Sequence, residues 1–266
     1  MSNTTVATLV RSEFKKISST RLWWGLLIGA VVFTALQAIA TAAFAGVEQG
    51  GQPPTPMLDT AESIRGVYAV AAFAGTYIFA LILGISGMTG EHRYQTITAT
   101  FLVAPRRSMV VSAKMLAHVV MGLVYGVAGV LSALLFGGIA IAIRGYDLGY
   151  GADGLWKSAG LAVLAVAIWT VVGIGIGTLI RNQIVAILVA VFITFLIEPI
   201  ATFALGAAGY DDVVKWLPTN ASAALTNPGD SFLEYLDWWA GGLVLAGYAL
   251  VLAGLGVLLS VRRDVT

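Results

Sequence analysis

The chain has 266 residues, of which 58% are hydrophobic and only 11% are charged, with a formal net charge of +1. Soluble globular domains are about 45 to 50% apolar and about 25% charged, so this composition excludes a water-soluble domain. Cysteine is absent from the sequence, which excludes disulfides, thiolate metal sites and cysteine nucleophiles. The class that remains is an integral membrane protein.

The first segment, residues 1–21, predicts an amphipathic helix that lies in the membrane interface. Apolar residues such as Val10, Phe14 and Ile17 recur at helical spacing, while basic and hydroxyl side chains point the other way. Glu13 falls on the apolar arc and interrupts this pattern. An ordinary basic juxtamembrane tail is the alternative interpretation.

Six apolar runs follow, each long enough to cross a bilayer core about 30 Å thick as a helix. Their apolarity is continuous, whereas the strands of a membrane barrel alternate polar and apolar residues. The predicted spans are 22–44, 67–88, 115–143, 155–180, 184–205 and 238–261. The first run exceeds the length of a signal-peptide core, so we expect that helix to be retained. The sequence therefore predicts an all-α integral membrane protein, with residues 1–266 forming a single transmembrane domain of six transmembrane helices.

The distribution of lysine and arginine predicts the orientation, because cytoplasmic segments carry an excess of both. With the N-terminus inside, the cytoplasmic basic residues are Arg11, Lys15, Lys16, Arg21, Arg93, Arg106, Arg107, Lys114, Arg181, Arg262 and Arg263. The basic residues outside are then only Arg65, Arg144, Lys157 and Lys215. We therefore expect a multi-pass protein of the cell (plasma) membrane whose two termini are both cytoplasmic.

The segment 89–114, between the second and third spans, is predicted to be a cytoplasmic loop that contains a short helix. Ile97 and Phe101 lie one turn apart in this helix. The helix ends at Pro105, because proline cannot continue the hydrogen-bond ladder. Charged residues flank it on both sides, so it is suited to docking against a soluble partner.

The order of residues in this loop is distinctive. It runs through Glu91, Thr96, Leu102, Pro105, Arg106 and Lys114. This order resembles the cytoplasmic signature of the type-two ABC exporter permeases, in which a Glu-led helix is followed by Pro, Arg and Lys. The six spans, the amphipathic N-terminal helix and the Trp-Leu-Pro-Thr-Asn stretch at 216–220 extend the resemblance over nearly the whole chain. Many relatives have glycine before the threonine, where this chain has Gln95, which leaves the register of the loop helix open.

The resemblance implies that the loop is a coupling segment that contacts an ATPase subunit and transmits its closure. The implied partner-binding residues are Glu91, Arg93, Thr96, Ile97, Thr100, Phe101, Leu102, Arg106, Arg107 and Lys114. Glu91 would begin the segment, and its basic residues would anchor it to the membrane surface or to the partner. Positive-inside topology alone is the other explanation of those basic residues.

The resemblance further implies a transport subunit that is not itself an enzyme. It would pair with a second permease chain, identical or related, and with two cytoplasmic ABC ATPase subunits, and it would export a hydrophobic or amphipathic substrate by alternating access. ATP and Mg would belong to the ATPase subunits, because the closest approach to a phosphate loop, 151–158, has Trp156 in place of the second glycine. His92 and His118 lie on different segments without nearby cysteine, so no metal site is predicted, and no nucleic acid is expected as a partner.

One acidic residue, Glu198, lies well inside a predicted span and is followed by Pro199. An acid within the membrane is costly and is a functional candidate by default. It raises the alternative of an ion-coupled transporter or channel that uses Glu198 and needs no ATPase partner. The other interpretation, which the resemblance favours, ends the fifth helix at the proline. Glu198 would then face water, residues 200–205 would form a short re-entrant piece, and 206–237 would be an extracellular loop with candidate re-entrant helices.

Overall fold

The computed structural model describes residues 6–47, 57–93, 107–226 and 235–263, and this part of the chain is built from helices joined by turns. Six of the helical segments described are long and apolar enough to cross a membrane, which confirms the all-α membrane fold. The helices are α1 Val6–Ser19, α2 Leu22–Phe44, α3 Ala61–Ala74, α4 Tyr77–Arg93, α5 Arg107–Ser132, α6 Gly138–Ile143, α7 Leu155–Leu179, α8 Gln183–Phe192, α9 Glu198–Ala207, α10 Asp211–Val214, α11 Pro218–Thr226 and α12 Trp238–Arg263. Two π-helical turns, Ala133–Gly137 and Ile193–Ile197, join α5 to α6 and α8 to α9.

The amphipathic N-terminal helix α1 is confirmed, and it packs along α5. Its apolar side chains, among them Phe14 and Ile17, join a buried cluster with Met121 and Tyr125 of α5. The Tyr125 hydroxyl also donates a hydrogen bond to the carbonyl of Trp23 at the start of α2. The entry of the chain into the bundle is therefore fixed by both apolar and polar contacts.

The second span differs from its prediction in length and continuity. It begins at Ala61, six residues before the expected start at residue 67, and a turn at Gly75 and Thr76 divides it into α3 and α4. The Thr76 hydroxyl lies 3.1 Å from the hydroxyl of Thr34 on α2, and both residues are fully buried. A polar contact between spans thus occupies the point where the helix is interrupted.

Helix α7 lies at the centre of the bundle, where it packs against α3, α4, α5, α11 and α12. A Cβ atom on Gly173 would overlap the carbonyl oxygen of Leu81, so the backbones of α7 and α4 touch at this point. Small residues permit such close approach between helices in a membrane. Gly173 therefore serves the packing of α7 against α4.

The fifth span does not end at Pro199, and the expectation that Glu198 faces water is wrong. The helix continues through the π turn Ile193–Ile197 into α9, which ends at Ala207, and Glu198 is only 5% exposed. A π turn widens the helix just before the proline, which relieves the clash of its ring with the preceding turn. The proposed re-entrant piece at 200–205 is consequently part of this continuous helix.

Two short helices, α10 and α11, lie between the fifth and sixth spans. Helix α11 is largely buried and packs on α7 and α12. The indole Nε1 of Trp169 donates to the Ser222 hydroxyl at 2.7 Å, and that hydroxyl donates to the Pro218 carbonyl at 2.9 Å. Helix α11 is therefore anchored to the central helix of the bundle.

Candidate functional site

Side chains from α1, α4 and α5 form a cluster of four alternating charges, which we call the ion cluster. The Lys16 Nζ lies 2.6 Å from one carboxylate oxygen of Glu13 and 2.7 Å from Glu91 Oε1. The Lys114 Nζ lies 2.6 Å from the other oxygen of Glu13 and 3.1 Å from the same Oε1 of Glu91. Each lysine thus bridges both carboxylates, and three separate helices meet through these contacts.

The ion cluster is buried on all but one side. The side chains of Lys114, Glu13 and Glu91 are 3%, 4% and 8% exposed, whereas Lys16 is 42% exposed and covers the open side. Removing one partner from a buried set of charges leaves the others uncompensated, which is strongly destabilising. The four side chains therefore constrain one another, and α1 cannot separate from α4 and α5 without breaking ion pairs.

The neighbouring charges in the ion cluster favour the ionised forms of Glu13 and Lys16. Burial raises the pKa of the Glu13 carboxyl, but the charge of Lys114 and hydrogen bonds from Lys114 and Lys16 outweigh it, so the pKa lies below its ordinary value of 4.5. Burial lowers the pKa of the Lys16 ammonium, but hydrogen bonds and charges from Glu13 and Glu91 raise it above the ordinary 10.5. Both groups are charged at neutral pH, as the alternating arrangement requires.

The backbone around the cluster supports Lys114. Its Nζ also donates to the carbonyl oxygen of Gly87 on α4 at 3.1 Å, which satisfies a third direction of the ammonium group. One turn further along α5, the Nδ1 atom of the buried His118 ring lies 2.8 Å from the Lys114 carbonyl oxygen. A Cβ on Gly87 would overlap the His118 ring, so glycine is needed where α4 crosses α5.

The structure brings together two of the residues predicted for the coupling loop, Glu91 and Lys114. Glu91 lies in the last turn of α4, and Lys114 lies two turns into α5, so both residues lie on the helices that border the segment 94–106. The Lys114 ammonium is held inside the chain in this structure and does not lie at its surface. Glu91 and Lys114 therefore mark the two ends from which the loop departs.

The other predicted coupling residues lie outside what the structure describes. Thr96, Ile97, Thr100, Phe101, Leu102 and Arg106 belong to the undescribed segment, and the side chains of Arg93 and Arg107 at its borders are likewise not described. Their role in partner binding stays a prediction.

Sequence reasoning missed two members of the cluster, Glu13 and Lys16. The signal was present, because Glu13 is the acidic residue that interrupts the apolar arc of α1. An ionised carboxylate on the buried side of a helix requires a partner, and its partner Lys114 lies 101 residues further along the chain. Glu13, the exception on the apolar face of α1, is thus the ion-pair partner of the buried Lys114.

Glu198 occupies a second buried polar site, at the end of the bundle opposite α1, which we call the Glu198 latch. Its Oε2 atom accepts hydrogen bonds from the backbone N–H of Thr219 at 2.9 Å and from the Thr219 hydroxyl at 2.6 Å. Thr219 is the second residue of α11, where backbone N–H groups lack partners within the helix and an anion is favoured. The carboxylate thus joins the fifth span to α11.

Two further hydrogen bonds, both from Asn220, reinforce the Glu198 latch. The side-chain amide of Asn220 donates to the Thr202 hydroxyl of α9 at 3.1 Å and to the Val214 carbonyl at 3.0 Å. No ion pair within the described part of the chain involves Glu198. The described contacts of the carboxylate are those of a helix-capping residue.

These elements define a polytopic membrane protein with six candidate spans and an N-terminal helix that is ion-paired to the second and third of them. A family model described as ABC-2 family transporter protein matches residues 9–197, well over half of the chain. The chain therefore belongs to this family of ABC permeases, and the resemblance seen in the sequence is confirmed. The match includes all four residues of the ion cluster and stops before Glu198. The chain matches none of the curated proteins with which it was compared.

Proposed function

We propose that this chain is the membrane-spanning permease of an ATP-driven exporter that moves a hydrophobic or amphipathic substrate out of the cell. ATP would be hydrolysed, with Mg, in two separate cytoplasmic ABC ATPase subunits, and the permease would pair with a second permease chain, identical or related. In this proposal the protein resides in the plasma membrane with both termini in the cytoplasm. Family membership supports the permease part of the proposal.

The ion cluster is the observation that carries the coupling mechanism. Glu91 and Lys114 flank the segment 94–106. Lys114 pairs directly with Glu13 on α1, and Glu91 is linked to Glu13 through Lys16 and Lys114, which each pair with both carboxylates. A force applied to that segment by an ATPase subunit would reach α4, α5 and α1 together, because ion pairs join them. The three helices would move as one unit while the bundle changes between inward-facing and outward-facing packings.

The coupling residues in this proposal are those implied by the resemblance, with the two additions from α1. Side chains such as Ile97 and Phe101 would contact the ATPase, and the ion cluster would receive the resulting motion. The ion-coupled alternative would instead require Glu198 to exchange protons or ions during transport. Its observed hydrogen bonds to Thr219 support a structural task.

The test is purification of the affinity-tagged chain from native membranes in detergent, followed by mass spectrometry and an ATPase assay. We expect an ABC ATPase to co-purify, Phe101→Asp to abolish its recovery, and Lys15→Met, an exposed change on α1, to leave it intact. Reconstituted vesicles that hold this chain alone should not transport. Purification without any ATPase, together with transport by the chain alone that Glu198→Gln abolishes, would overturn the proposal in favour of the ion-coupled alternative.

A further inference from the structure

A cleft opens beside the Glu198 latch, between α9, α10 and the first turn of α11. Its volume is about 600 Å³, which lies within the range of about 300 to 1,000 Å³ that is typical of small-molecule sites. The cleft lies beyond residue 197, where the family match ends. Its residues therefore do not belong to the part of the chain that the family model describes.

One wall of the cleft is apolar. Pro199, Phe203 and Ala207 lie along one side of α9 and line it. Phe203 is 79% exposed, so its ring is available for contact with a bound molecule. Ligand sites combine such apolar surface with a few polar groups at fixed positions, and the opposite side of this cleft supplies them.

The polar side is held in place by the hydrogen bonds of the latch. Thr202 and Asn220 line the cleft and are bonded to each other. Thr219 also lines it and is fixed by Glu198. The polar side of the cleft is thus fixed by contacts within the chain.

The charge of the cleft is negative. Asp211 lines the cleft, and no ion pair among the described residues involves it. Asp211 and Asp212 are both exposed, but the Asp212 carboxylate lies 3.2 Å from the Lys215 Nζ. Glu198, behind Thr219, adds a further carboxyl group close to the same wall. An unpaired carboxylate beside an apolar wall favours a ligand with a positive charge and a hydrophobic body.

We propose that this cleft binds lipophilic cations, with the apolar body of the ligand on Pro199 and Phe203 and its charge beside Asp211. The ring of Phe203 would add a cation–π contribution. The proposal rests on the proposed function in one respect, because it names the substrate class of the exporter. Binding itself requires neither ATP nor the ATPase subunits.

The test uses two probes of the same shape and opposite charge, tetraphenylphosphonium and tetraphenylborate. The full chain is placed in nanodiscs of zwitterionic lipid, and binding of each radiolabelled ion is measured by equilibrium dialysis, with empty nanodiscs as the blank. We expect saturable binding of the cation only. Asp211→Asn should weaken it about three- to fivefold, as expected for the loss of an exposed charge partner.

The matched control is Asp212→Asn, which removes the same charge one residue away from a carboxylate already paired with Lys215. We expect it to change affinity by less than about twofold, since Asp212 is not among the residues that line the cleft and already pairs with Lys215. Gly206→Leu is a second variant, because Gly206 lines the cleft and its Cβ would lie 3.6 Å from Asp211 Oδ1. A leucine there should fill the cleft and abolish binding, while thermal unfolding reports that each variant is folded.

Three outcomes would overturn the proposal. They are no saturable binding above empty nanodiscs, equal binding of the two ions, and equal losses from Asp211→Asn and Asp212→Asn, which would indicate surface potential rather than a site. The outcome is separable from that of the proposed function, because ATPase co-purification is scored on the same variants. Absence of cation binding by the unmodified chain with the ATPase retained contradicts only the cleft, and cation binding without any ATPase contradicts only the exporter.

Discussion

Two buried carboxylates at opposite ends of the bundle, Glu13 and Glu198, are compensated in different ways. Glu13 is 3% exposed and lies between two lysines, whereas Glu198 is 5% exposed and accepts hydrogen bonds from the backbone and hydroxyl of Thr219. One site balances charge with charge, and the other satisfies an acidic side chain with hydrogen-bond donors. Two lysines pair with Glu13, whereas one residue, Thr219, donates to Glu198.

The difference indicates how firmly each end of the bundle is fixed. Removing a charge from the ion cluster leaves the remaining buried charges incompletely compensated, so its three helices are strongly tied together. The Glu198 latch has no opposite charge to strand among its described contacts, and an uncharged acceptor can replace much of it. We therefore expect the α1 end to behave as a rigid unit and the α9–α11 contact to separate more easily.

Among single substitutions at the two sites, we expect Lys114→Met to destabilise the fold most. The substitution leaves Glu13 and Glu91 with Lys16 as their remaining cluster partner, and it should lower the free energy of unfolding by about 3 to 5 kcal/mol. Denaturant unfolding of the detergent-solubilised chain, followed by tryptophan fluorescence, measures the loss. Lys15→Met is the matched control, because Lys15 is exposed on the same helix as Lys16.

A second variant separates charge imbalance from lost packing. Lys114→Met combined with Glu91→Gln leaves Glu13 paired with Lys16, so part of the lost stability should return. A loss no larger than that of Lys15→Met, or a double variant that is less stable than the single one, would contradict the interpretation of a mutually dependent cluster.

Replacing each carboxylate by its isosteric amide sharpens the comparison. Glu13→Gln should cost about 2 to 3 kcal/mol, because the buried Lys114 loses one of its two charged partners. Glu198→Gln should cost about 1 kcal/mol or less, since the amide oxygen can still accept from Thr219. The same unfolding measurement gives both values, and equal costs would remove the distinction between the two sites.

Glu198→Ala is the control for Glu198→Gln. Glu198→Ala removes the acceptor itself and leaves the Thr219 N–H without this partner near the start of α11, which should cost about 1 to 3 kcal/mol. An amide that costs as much as alanine would mean that the negative charge, and not the acceptor, is what the site requires. That result would return Glu198 to the list of transport residues.

Much of the fold could be predicted from the sequence, because membrane spans depend on local composition. The six apolar runs and the amphipathic face of α1 are read within windows of about 20 residues, and the structure has both. The expected end of the fifth helix at Pro199 failed for a definite reason. A π turn is a local change of backbone hydrogen bonding, and the spacing of apolar residues does not report it.

The candidate site could be predicted only in part. Glu91 and Lys114 followed from the order of residues in the loop, but their pairing with Glu13 depends on how α1 packs against α5. Glu13 was visible as an exception on an apolar face, and the missing information was the identity of a partner from another helix. Contacts between helices that are distant in sequence set the site, whereas periodicity reports only the face on which a residue lies.

The pH dependence of stability offers a smaller and more graded test of the ion cluster. The pKa of Glu13 lies below 4.5 in the folded chain, so its contribution is present above about pH 4.5 and is lost as the pH falls through the lowered value. The pKa of Lys16 lies above 10.5, so its contribution is present below that pH and is lost as the pH rises through the raised value. The cluster is therefore fully effective between these limits.

The contribution of Glu13 to stability at acid pH can be obtained by comparing the wild type with Glu13→Gln. Other carboxyl groups also titrate below pH 5, so the unfolding free energies of the wild type and Glu13→Gln should be compared from pH 7 to pH 3. We expect the gap between the two proteins to narrow below about pH 4.5, because protonation makes the wild type resemble the variant. Glu91, Lys16, Lys114 and His118 lie in or beside the cluster and are shared by both proteins. A gap that stays constant with pH would mean that Glu13 is not ionised in the folded chain, and the alternation of charges would then be incorrect.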